Sequence, residues 1–190
     1  MKILLATLSL LLLPSLFAEE ADTPKALQKS LHDFTMEDIE GNPVDLAQYK
    51  DKVVLIVNTA SKCGHTPQYA DLVQLQKDYA EKGVVVLGFP ANNFNNQEPG
   101  SNEQILEFCE TKFNVNFPMF SKVSVRGDDQ HPLFAFLTEA ENPDFTGNIN
   151  WNFEKVLVGP DGTVQRRFRS RTNPSSPEIR EAIDDLVTAN

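Results

Sequence analysis

Val53–Tyr69 reads VVLIVNTASKCGHTPQY, and the rest of the chain is organised around it. The continuous apolar run Val53–Val57 is the pattern of a buried strand. A five-residue turn, Asn58–Lys62, leads to Cys63. Thr66 as cap and Pro67 at the first helical position then announce a helix. A thiol in such a strand-to-helix turn faces backbone N–H groups and the positive end of a helix dipole, both of which favour thiolate. A reactive cysteine belongs in that place. A small buried hydrophobe is the competing reading of Cys63.

Outward from this stretch, the helix from Pro67 to Lys82 carries Tyr69, Leu72, Leu75 and Tyr79 near helical spacing and stops at Gly83. Val84–Phe89 is a second continuous apolar run, so strand, helix and strand form a βαβ unit with parallel strands and a right-handed crossover. Upstream, Phe34–Met36 and Val44–Leu46 around Gly41-Asn42-Pro43 read as a hairpin. Downstream, Pro90–Gly100 is an Asn-rich loop. Ser101 and Gln104 make a capping box for a helix bearing Ile105, Phe108 and Cys109 on one face. Phe117–Val125 is an extended segment and His131-Pro132 opens a short helix. Phe153–Val158 and Thr163–Phe168 flank a Gly-Pro-Asp-Gly hairpin turn, and Ser176-Pro177 caps a final amphipathic helix. The order matches an α/β, thioredoxin-like topology: a central mixed sheet flanked by helices, with an extra N-terminal β-hairpin.

Bulk properties narrow the function. Residues 1–18, MKILLATLSLLLLPSLFA, read as a secretory signal peptide, 19–31 as a polar leader, and 32–190 as a single domain. The formal net charge is −10, and removing the signal, with Lys2, makes it one unit more negative. Nucleic acid and anionic lipid are therefore poor partners. Arg166, Arg167, Arg169 and Arg171, on a strand and its exit, are expected to form a solvated face. The mature chain keeps no apolar stretch long enough to span a bilayer, and export places it in a periplasm if the source is Gram-negative, otherwise outside the cell. Two cysteines and three scattered histidines offer no metal-ligand spacing.

Of the reactions open to a thiolate at Cys63, disulfide exchange lacks its Cys-x-x-Cys pair, because Thr66 stands three residues on. Acyl transfer lacks a supported His base, and His65 is expected to be a surface residue where the helix begins. Peroxide reduction needs less: neutral hydrogen-bond donors to hold the departing oxygen, and a second thiol to condense with the sulfenic acid. Gln97 and Trp151-Asn152 supply such donors.

Five motifs, NTASKCGHTPQY, LGFPANNFNNQEPGS, NFPMFSKVSVRG, HPLF and NWNFEKVLVGPDGTV, in this order and spacing, resemble the glutathione peroxidase family. The resemblance implies reduction of hydrogen peroxide and organic or lipid hydroperoxides. It places the peroxidatic role on Cys63 and the hydrogen-bonding partners on Gln97, Trp151 and Asn152. Cys109 matches the resolving cysteine of members reduced by thioredoxin-type proteins. The implied co-substrate is a thiol reductant, a thioredoxin-type protein before glutathione since only Lys62 is basic near the thiol in sequence, and no bound cofactor is implied. A short or absent oligomerisation segment implies a monomer rather than a tetramer. One departure stands out: Phe89-Pro90-Ala91-Asn92-Asn93-Phe94-Asn95 replaces a common Phe-Pro-Cys-Asn-Gln-Phe-Gly, so a second thiol and a glycine hinge are missing. A peroxide sensor that passes its oxidation to a partner, and a binding module with a structural Cys63–Cys109 disulfide, are the alternatives.

Overall fold

The computed structural model describes residues 30–188. The signal-peptide reading of 1–18, and most of the leader, lie outside them. The hairpin is β1 (Thr35–Glu37) and β2 (Pro43–Asp45), paired antiparallel. The main sheet contains β3 (Val53–Thr59), β4 (Val84–Pro90), β5 (Lys155–Val158) and β6 (Val164–Phe168) in the order β4-β3-β5-β6. β3 and β4 are parallel, as the βαβ pattern requires, and β5 runs antiparallel to both β3 and β6. The helices are α1 (Gln68–Tyr79), α2 (Asn102–Phe113), α3 (Pro132–Glu139) and α4 (Pro177–Thr188).

β3 is buried over its whole length, and its two-residue alternation splits the core. Val53, Leu55 and Val57 point into one cluster with Leu72 and Leu75 of α1, Ile105 of α2 and Ile183 of α4. Val54 and Ile56 point into the other, with Leu46, Phe89, Phe120, Leu133 and Phe134. The extended segment Phe117–Val125 lies against β4, with Gly88 N donating to Pro118 O and Phe120 N to Gly88 O, each at 2.9 Å. A Cβ at Gly88 would stand 2.4 Å from Met119 Sδ, so any larger residue there obliges the Met119 side chain to move.

Three expectations need correcting. The leader ends earlier than residue 31: Ser30 caps a short 3-10 turn, and Leu31 is fully buried with its N–H on Gly162 O at 2.9 Å. Thr66 does not cap α1, which begins after Pro67 with no side-chain cap. Its hydroxyl turns back instead, donating to Ala60 O at 2.8 Å and accepting from Cys63 N at 3.0 Å. Ser176 likewise begins α4 through its backbone, accepting from Arg180 N, while its Oγ is buried without a partner.

The arginines are not a uniformly solvated face. Arg167 is 2% exposed, sits 3.6 Å from the buried Glu154 carboxylate and donates to Gly147 O at 2.8 Å. Arg166 forks onto Asp144, and Arg169 pairs with Glu154 at 2.9 Å. Burial pulls the Arg167 guanidinium below its ordinary range and Glu154 opposes that. Glu154→Gln keeps an acceptor for Asn150 N but strands a buried cation. It is expected to cost about 3–5 kcal/mol in urea denaturation, far more than Asp144→Asn, whose arginine is half-exposed.

Candidate active site

After the apolar run Val53–Val57, β3 closes on two buried polar residues, Asn58 and Thr59, and Asn58 arranges one wall of the site. Its carbonyl accepts from Phe153 N at 2.7 Å, its Nδ2 donates to Trp151 O at 3.1 Å, and its Oδ1 accepts from Glu154 N at 3.0 Å. Trp151 and Asn152 are thereby hung at the end of the strand that leads to Cys63. Phe153, at φ +63°, turns the chain into β5.

Gln97 reaches the same place from the Asn-rich loop. Its carbonyl accepts from Lys62 N at 3.0 Å, next to Cys63, and its Oε1 accepts from Asn152 Nδ2 at 2.9 Å. With Oε1 engaged, the Gln97 amide NH2 is left to donate elsewhere. Asn152 is fully buried. The loop is fixed by its own asparagines: Asn92 Oδ1 accepts from Glu98 N, while Asn93 donates to Ser124 Oγ and Arg126 O and accepts from Val125 N. Ala91, where the family resemblance leads one to expect a cysteine, is fully buried. Asn95, at the position where the resemblance leads one to expect a glycine, takes the left-handed conformation at φ +51°, which Asn tolerates better than most side chains. Phe94 then packs on the Trp151 ring, centroids 5.6 Å apart.

Cys63 is 7% exposed and its Sγ accepts one hydrogen bond, from His65 N at 3.4 Å. α1 begins five residues later, so a turn amide rather than the helix's first turn serves the sulfur. Among the described residues, none of Gln97, Trp151 and Asn152 hydrogen-bonds Cys63 directly. Gln97 and Asn152 are joined to each other, and Trp151 is their neighbour. His65 is half-buried; burial, then Lys155 and Arg171, hold its imidazole below the usual value. With Asn150, Trp151, Glu154, Arg169 and Arg171 it lines an open depression of about 360 Å³. Two arginines distant in sequence thus stand beside the site.

Cys109 is fully buried on α2, and both cysteines are free in this structure. Burial pushes the Cys109 thiol up to about 11, against the pull of the nearby Tyr69 hydroxyl. Only Ile105 and Cys109 of α2's twelve residues are buried, against seven of twelve in α1. Leu106, Phe108 and Phe113 pack on the core only partly buried, so α2 is held by less burial than α1.

Several contributors escape sequence reading. Asn58, Thr66 and Tyr69 act through partners far along the chain or through a turned-back hydroxyl. Lys155 sits inside an apolar strand, fully buried, its Nζ donating to Gln68 Oε1 and to Thr172 O at 2.6 Å. Burial pushes that amine down to about 7. A polar residue ending or interrupting an apolar run is the one signal that marks Asn58 and Lys155. Among the described residues no group of three or more His, Cys, Asp and Glu could hold a metal ion.

The Asn152–Gln97 bond gives a measurable expectation. Asn152→Ala releases Gln97 Oε1 and lets the amide rotate away from the thiol. The second-order rate of Cys63 oxidation by hydrogen peroxide, followed by stopped flow, is expected to fall about 10²-fold, the effect of losing one oriented donor.

Comparison with known proteins places this geometry. The family model described as glutathione peroxidase matches residues 31–138. The glutathione peroxidase homolog BsaA of Halalkalibacterium halodurans is 47% identical over 158 residues, 83% of this chain and 99% of its own. The glutathione peroxidase-like peroxiredoxin 2 of Saccharomyces cerevisiae is 48% identical over 161 residues, 84% of this chain and 98% of its own. Among solved structures, the apo form of Trgpx superposes with a TM-score of 0.69 at 39% identity, covering 84% of this chain and 96% of that one.

Proposed function

The chain belongs to the glutathione peroxidase family, and from that premise we propose a thiol peroxidase in which Cys63 reduces hydrogen peroxide and organic hydroperoxides. The observation that carries the site assignment is the Gln97 bridge, accepting from Lys62 N beside Cys63 and from Asn152 Nδ2. In the first step the Cys63 thiolate attacks one peroxide oxygen. An S–O bond forms, the O–O bond breaks, and the alkoxide leaves as alcohol with a proton. Gln97 Nε2 and the Trp151 indole N–H are the neutral donors for the oxygen that gains charge.

In the second step the Cys109 thiolate attacks the Cys63 sulfenic sulfur. An S–S bond forms, the S–O bond breaks, and hydroxide leaves as water. Because a disulfide needs Cα atoms within about 7 Å and a thiol pushed up to about 11 must reach water to ionise, α2 opens before this step. A dithiol protein of thioredoxin type then supplies two electrons and two protons to restore both thiols. The depression with Arg169 and Arg171 offers glutathione's carboxylates partners that Lys62 alone does not. The preference for a protein dithiol therefore rests on Cys109, not on a lack of local positive charge. Export is proposed on residues 1–18 alone, and a monomer on the short oligomerisation segment. Among the described residues no helix is long and apolar enough to cross a membrane.

Peroxide consumption with a thioredoxin system against glutathione tests this reading. Faster turnover with the thioredoxin system is expected. Turnover with glutathione alone would overturn the two-cysteine cycle, and turnover with neither would overturn the peroxidase.

A further inference from the structure

Glu98 has no part in the cycle described above, yet it is placed where that cycle must move. It is 1% exposed, and neither carboxyl oxygen has a hydrogen-bond partner. Its backbone is pinned on both sides, N–H to Asn92 Oδ1 at 2.9 Å and carbonyl from Lys122 Nζ at 3.4 Å, so the side chain cannot drift to solvent with its loop. It lines a cleft of about 280 Å³ with Ser61 and Lys62 from the Cys63 turn and Gln104, Ile105 and Phe108 from α2. That cleft lies between α2 and the Cys63 turn.

The charged and titratable groups facing Glu98 come from four elements. Lys62, with Ser61, belongs to the Cys63 turn, and Lys122 to the extended segment. Tyr69 of α1 and Cys109 of α2 both feel its charge as an anion, and Glu110 adds to that at Cys109. A buried carboxylate without a hydrogen bond is costly, whereas a neutral carboxyl is tolerated. Burial accordingly holds Glu98 above the usual carboxylate range, against the pull of nearby Ser61, which stays short of hydrogen-bond geometry, and of Lys122 and Lys62.

We propose that Glu98 is a positioning residue for the resolving step, a latch that keeps α2 closed over Cys109 while its carboxyl is protonated and weakens that closure when it ionises. The proposal rests on the reading that Cys109 resolves Cys63. Opening the cleft admits water to the carboxylate and lets the two lysine ammonium groups approach it. The sign follows from linkage: the closed form binds the proton more tightly than the open form. Closure is therefore strongest below the ordinary carboxylate value, weakens as pH rises, and levels off once the closed form has itself lost the proton.

Amide hydrogen exchange of α2 in the reduced full chain, corrected for intrinsic exchange, tests the latch between pH 4.5 and 8. Protection of residues 105–113 is expected to fall by up to about tenfold per pH unit while the carboxyl titrates, then level. In Glu98→Gln it is expected to be flat, and the rate of Cys63–Cys109 disulfide formation after one equivalent of hydrogen peroxide is expected to keep only the pH dependence of Cys109 ionisation. Protection of wild-type α2 that does not change with pH overturns the latch without need of any variant. A pH dependence equal in wild type and Glu98→Gln overturns it as well. A pH-dependent α2 with no Cys63–Cys109 disulfide at any pH overturns the resolving role of Cys109 instead, so the two failures are distinct.

Discussion

Cys63→Ser is expected to lose peroxide turnover by at least ~10³-fold, a conservative figure for removing a covalent nucleophile. The hydroxyl is scarcely ionised at neutral pH and gives no sulfenic acid, so both the first step and the disulfide disappear. Folding should not suffer. Serine fits the same buried turn, its backbone N–H still reaches Thr66 Oγ1, and its Oγ can accept from His65 N as the sulfur does. A coupled assay with a thioredoxin system, read beside the thermal midpoint, separates the effects. Lost activity at an unchanged midpoint is the expected pair. Residual turnover above a tenth of wild type would remove Cys63 from the chemistry.

Cys109→Ser is expected to split the cycle. The burst, in which one equivalent of peroxide oxidises Cys63, should proceed at the wild-type rate, because Cys109 makes no hydrogen bond to Gln97, Trp151 or Asn152. Steady-state turnover with a thioredoxin-type protein should fall about 10²-fold or more, since no disulfide forms for that protein to reduce. The trapped sulfenic acid should be captured by a dimedone-type reagent in one step. Excess peroxide should carry it on to sulfinic acid. Serine at 109 still offers Tyr69 a hydroxyl, which keeps the packing of α2 comparable.

The sheet was legible in the sequence because Val53–Val57 and Val84–Phe89 are apolar on both faces, a pattern that arises only where helices cover both sides. The capping box of α2 was equally legible, since Ser101 and Gln104 act within one turn. Thr66 was misleading for a physical reason. A Thr-Pro pair normally starts a helix, but here the hydroxyl is drawn to Cys63 N and Ala60 O, and it shapes the cysteine turn instead. Arg167 was misleading because the charge that allows its burial, Glu154, lies just before the neighbouring strand β5.

The site divides in the same way. Cys63, Gln97, Trp151 and Asn152 could be singled out by chemistry and family resemblance. That Gln97 and Asn152 bond to each other, and that Asn58 hangs the Trp151–Glu154 turn from β3, are contacts across 55 residues and more that no local pattern records. Glu98 sits beside Gln97 in sequence, yet its burial without a partner is a property of the closed cleft alone.

Intact-mass and peptide analysis of the reduced protein after one equivalent of hydrogen peroxide tests the central claim most directly. A loss of about 2 Da, both thiols unavailable to alkylation, and one peptide pair joining Cys63 to Cys109 are the expected result, as one S–S bond replaces two S–H bonds. A gain of about 16 Da on the Cys63 peptide, with Cys109 still alkylated, would contradict it.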